Sequence, residues 1–84
     1  THLEKDSPHL LKHHANWRLQ AIQRSERLSE QELMFTGPMS MSQSDFLKIR
    51  EDLVQLIQNS IETMKASPAE TVVCLNIDWI KVRG

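Results

Sequence analysis

Apolar residues change their spacing several times along this chain, and each change marks an element. Between residues 10 and 22 they recur as Leu10, Leu11, Ala15, Trp17, Ala21 and Ile22, the interval of a helix with one apolar face. Ser7-Pro8 supplies an N-cap and the residue favoured in the first turn, so a helix is expected over about 8–24. Its polar positions carry Lys12, Arg18 and Arg24 without a carboxylate, a mildly basic face. Ser25 to Gln31 is polar and reads as a loop or a frayed end.

The period then falls to two. Leu33, Phe35, Met39 and Met41 alternate around Gly37, predicting a strand over about 33–42. Pro38 cannot donate to a ladder, which confines that strand to an edge or a bulge. Next, Ser42 and Asp45 form a short-armed capping box, with Met41 and Phe46 at the positions of a hydrophobic staple. Phe46, Ile49, Leu53, Leu56, Ile57, Ile61 and Met64 continue as a helical stripe, predicting a second helix over about 43–65. Lys48 and Asp52 are spaced to pair, Lys65 lies near the negative end of the dipole, and Ser67-Pro68 stops the helix. The last stretch, about 71–82, is β-branched and alternating. One face carries Thr71, Val73, Leu75, Ile77 and Trp79, the other Val72, Cys74, Asn76, Asp78, Ile80 and Val82, so a strand there needs cover on both sides.

The order α-β-α-β predicts an α+β (α/β-like) fold, a small sheet with a crossover helix. A helix of about 23 residues is about 34 Å long, matching a ten-residue strand of about 33 Å, so it can return the chain and set the strands parallel. A right-handed crossover is expected. Two parallel strands alone are marginal, however. The sheet is therefore expected to be completed by a second chain, in a homodimer, or by residues upstream of Thr1. Val73, Leu75, Ile77 and Trp79, with Phe46, Leu53 and Ile57, are the residues expected to form that interface.

Composition narrows the function. Eighty-four residues make residues 1–84 a single small domain or a C-terminal fragment of a larger one, and the start at Thr1 rather than Met reads as a processed or excised piece. With 39% apolar and 25% charged residues the chain is of globular type. A formal charge of -1 argues against direct gripping of nucleic acid. One cysteine rules out an intrachain disulfide framework and fits a reducing compartment. The longest apolar run, Val72 to Leu75, cannot span a bilayer, and no signal-peptide core is present, so the cytoplasm is the expected location.

Chemistry-bearing residues are few. His9 and His13 have the spacing with which two imidazoles can face one metal ion, and His2 or His14 could add a ligand, yet no general-base Glu follows His9. These read as solvated histidines, and no metal or other cofactor is expected. Cys74 could be a nucleophile only with a base beside it, and reads as a strand cysteine. Asp78 reads as a solvated or ion-paired carboxylate. Arg18, Arg24 and Arg27 could touch phosphates, but without interleaved aromatics they read as a solvated face. Enzymatic activity is not expected; the competing reading is a small metal-dependent or thiol enzyme using His9 and His13 or Cys74.

The stretch from about His14 to Val82 resembles the C-terminal part of the DUF4423 domain. The likeness rests on His14 and Trp17 in the first helix and on Met39-Ser40-Met41-Ser42 leading into the second. It continues through Asp45-Phe46 with Ile49 and Leu53, and ends on Val73-Cys74-Leu75-Asn76-Ile77. Where that family closes with an aromatic-proline pair, this chain has Trp79-Ile80. The resemblance implies the tail of a bacterial transcription regulator whose helix-turn-helix region lies upstream; the role expected for this tail, as a reading of the chain itself, is oligomerisation or signal reception. It implies no catalytic or cofactor residues and no direct contact of this part with nucleic acid.

Overall fold

The computed structural model describes residues 8–83. They form two helices, α1 (Pro8–Arg24) and α2 (Gln43–Lys65), with a 3-10 turn at Ser25–Arg27 following α1. The cap assigned to Ser7 lies outside the described residues. No strand occurs among the described residues, so the expected α+β (α/β-like) fold is corrected to an all-helical one. The strands expected over 33–42 and 71–82 are irregular segments without a ladder, and no crossover sheet occurs among the described residues.

The reason is local competition. The carbonyl of Ile77 accepts from the Arg18 guanidinium at 3.0 Å, and the indole N–H of Trp79 donates to the carbonyl of Phe46 at 3.0 Å. Side-chain anchors thus hold the last segment at Ile77 and Trp79, and at Ile77 they take a backbone acceptor that a ladder would use. Pro38 deletes a donor from the only other alternating segment, and a two-stranded parallel pair has too little to gain to displace these anchors.

The chain divides into two units. One holds residues 8–36 with Cys74–Asp78, the other Gly37–Val73 with residues 79–83. Each alternating segment is divided between the units.

In the first unit, α1 turns Leu10, Trp17, Arg18 and Ala21 toward partial cover and leaves Leu11, Leu19 and Ile22 exposed. Arg24 stands in its last turn, where a cation complements the dipole, and the Ser25 hydroxyl donates to the carbonyl of Ile22 at 2.7 Å. In the second unit, the Ser42 hydroxyl accepts the Asp45 backbone N–H at 3.1 Å, the bond the capping pattern calls for. Ala66 caps the far end, and the Ser67 N–H donates to the carbonyl of Met64 at 3.1 Å. Lys65 bonds Glu62 at 3.1 Å, whereas Lys48 and Asp52 form no ion pair.

No described residue is buried. Units of this size enclose little, because surface grows relative to volume as a body shrinks. The apolar side chains on these helices are consequently half-covered at best.

Candidate interaction surface

Two side-chain clusters organise the molecule. In the first unit, Arg18 is saturated with acceptors. Its Nε and Nη2 donate to the two carboxylate oxygens of Asp78, each at 2.7 Å, Nη2 also donates to the Ile77 carbonyl, and Nη1 donates to the His14 carbonyl at 3.2 Å. The fork of the guanidinium matches a carboxylate in this two-point geometry. The pair holds the Asp78 carboxyl below its ordinary range and the Arg18 guanidinium above its own, in both cases chiefly through the shared hydrogen bonds. Further along α1, Arg24 donates to both oxygens of Glu32 at 2.8 Å, and the Ser29 N–H donates to the same carboxylate at 2.9 Å. The Ser29 backbone bond, followed by Arg24, lowers the Glu32 pKa.

In the second unit, Trp79 stacks on Phe46 with ring centroids 5.4 Å apart and planes 17° from parallel. The Lys81 ammonium lies 5.2 Å from the Phe46 centroid on this small aromatic cluster. Stacking adds about 0.5–1.5 kcal/mol and an exposed cation–π contact about 0.5–1 kcal/mol. These anchors therefore hold the closing segment modestly.

Of the residues expected at an interface, Phe46 and Trp79 are brought together. Leu53 is half-buried and Ile57 exposed on α2; Ile77 is half-buried beside the Arg18 clamp; Val73, 81% exposed, and Leu75 lie open. The half-covered N-terminal end of the α2 stripe passes into an exposed C-terminal end at Leu56, Ile57, Ile61 and Met64.

The chemistry-bearing residues are dispersed. His9, His13 and His14 are exposed; His13 meets Trp17 edge to face, with centroids 6.4 Å apart. His2 lies outside the described residues. No group of three His, Cys, Asp or Glu side chains that could hold a metal occurs among the described residues. Cys74 is exposed, and its Sγ donates to Asn76 Oδ1 at 3.7 Å. Of the three arginines considered for phosphate, Arg18 and Arg24 bind carboxylates of their own chain and Arg27 forms no ion pair.

The Arg18 clamp is the feature the sequence reading missed as a specific pair. One signal bears on it: α1 carries Lys12, Arg18 and Arg24 but no Asp or Glu, so any carboxylate that pairs with its basic face comes from elsewhere in the chain. No described helix is long and apolar enough to cross a membrane. No family model, curated protein or solved structure matches this chain.

Proposed function

We propose that this chain is a non-catalytic association module, working through the apolar stripe of α2 and the apolar closing segment. The observation that carries the reading is the absence of any buried residue among those described, in a chain with 39% apolar residues and a capped, striped 23-residue helix. Fully burying one Leu, Ile, Met or Phe side chain is worth about 1.5–3 kcal/mol, so covering even part of the stripe outweighs the ion pairs and stacking that hold the segments locally. An apolar face left open at Leu56, Ile57, Ile61 and Met64 supports an interaction surface there.

The DUF4423 resemblance supplies a setting. In it the chain is the cytoplasmic C-terminal part of a bacterial transcription regulator, and association of this part sets the spacing of DNA-binding regions carried elsewhere in the protein. Arg18 and Arg24 are already neutralised by Asp78 and Glu32, which supports a partner other than nucleic acid. Sedimentation velocity over a concentration series is the test. The expected result is a sedimentation coefficient that rises with concentration in the micromolar range; a folded species that stays monomeric throughout overturns the reading.

A further inference from the structure

The apolar pattern of α2 is symmetric about the middle of the helix. Reflection through Gln55 exchanges Phe46 with Met64, Ile49 with Ile61 and Leu53 with Ile57, so the stripe reads alike in both chain directions. The flanking Val54 and Leu56 exchange as well. Between residues 46 and 64 only Leu47 falls on a polar counterpart, Thr63.

Helical geometry gives this symmetry a meaning. At about 100° per residue, Phe46 and Met64 lie on one line along the helix, with Ile49 and Leu53 to one side of it and Ile57 and Ile61 to the other. A two-fold axis crossing the seam at the level of Gln55 keeps every residue on its own side and reverses its height. Level neighbours across the seam must then come from opposite sides of the line, and the reflected pairs do. Ile49 meets Ile61 of the second copy, Leu53 meets Ile57, and Phe46 meets Met64. A face shaped for an unrelated segment has no need of such a reflection. A face that meets itself does, because in a two-fold contact residue i meets j while j meets i.

The C-terminal half of the surface is open for that contact, and the N-terminal half is partly covered, with Trp79 on the Phe46 ring. Ile57 is 38% and Met64 63% exposed, Ile61 is exposed, and the reflected residues Phe46, Ile49 and Leu53 are half-covered. Met64 would reach the Phe46–Trp79 rings of the second copy, a favourable contact for a thioether. Antiparallel packing sets the positive end of each helix beside the negative end of the other, and a formal charge of -1 gives little repulsion between copies.

We propose that the partner of α2 is a second copy of this chain, bound as a two-fold antiparallel helix pair centred at the level of Gln55. The proposal rests on the association reading above and names its partner. Lys48, Gln55 and Glu62 repeat at seven-residue intervals on the face opposite the stripe, so probes placed there leave the seam intact. The test places one spin label at Lys48→Cys, Gln55→Cys or Glu62→Cys, each in the full chain with Cys74→Ser, and measures the distance between identical labels by electron–electron double resonance.

Two-fold antiparallel packing offsets identical labels along the axis by about 3 Å for every residue from Gln55, hence by about 20 Å at Lys48 and Glu62. The shortest distance is expected at Gln55, with longer and similar distances at the other two. Equal distances at all three positions, or a minimum at either end, overturn the arrangement and leave the association reading standing. A monomeric unlabelled chain overturns both. Ile57→Glu changes an exposed position on the seam and is expected to give a folded monomer; a dimer that survives it also overturns the arrangement.

Discussion

Arg18 donates to both carboxylate oxygens of Asp78 and to the backbone carbonyls of Ile77 and His14. The pair joins positions 60 apart in sequence and ties Asp78 to α1. Asp78 is 59% exposed, which limits the pair to about 1 kcal/mol or less. Its pH dependence follows from the direction of the shift. The folded-state pKa of Asp78 is lowered, so the stabilising contribution is present above the ordinary aspartate range and is lost as pH falls through the lowered value. Carboxyl-carbon NMR is expected to find Asp78 titrating below an ordinary aspartate, and Arg18→Gln to return it toward that range. An ordinary titration in the unaltered chain would contradict the clamp. The basic character of α1 and the candidacy of Asp78 for pairing were legible in the sequence. Their pairing was not, because a contact across 60 positions leaves no periodic trace.

At the scale of elements, the helices and the alternating segments teach opposite lessons. A helix closes its hydrogen bonds within itself, so a cap and a stripe suffice to show it. Ser42, Asp45 and the residues from Phe46 to Met64 place α2 at Gln43–Lys65, and the apolar repeat from Leu10 to Ile22 places α1 at Pro8–Arg24. A strand needs acceptors and donors from another segment, and alternation alone does not say that they exist. Residues 33–42 and 71–82 alternate as strands do and remain unpaired among the described residues. Ser42→Ala tests the helix side of this account. Loss of the bond to the Asp45 N–H is expected to cost about 1 kcal/mol. Faster amide exchange confined to the first turn of α2, with a lower midpoint in denaturant, would show it; an unchanged first turn would mean that the cap contributes nothing.

At the scale of the whole molecule, the governing fact is apolar surface with no buried residue among those described. The expectation that this chain needs cover from outside came from its strand-like ending, whereas the surface that carries the proposal is the stripe of α2. Those residues were legible as an apolar face, and Phe46, Leu53 and Ile57 were among the interface residues expected from it. Its openness was not legible, since a sequence shows which side of a helix is apolar but not what lies against it. If association covers that side, folding and assembly are linked by mass action, and apparent stability depends on protomer concentration. Thermal unfolding of the full chain, followed by helical circular dichroism across a wide concentration range, tests this most directly. The midpoint is expected to climb steadily as concentration rises; a midpoint that stays fixed over the whole range would contradict the account.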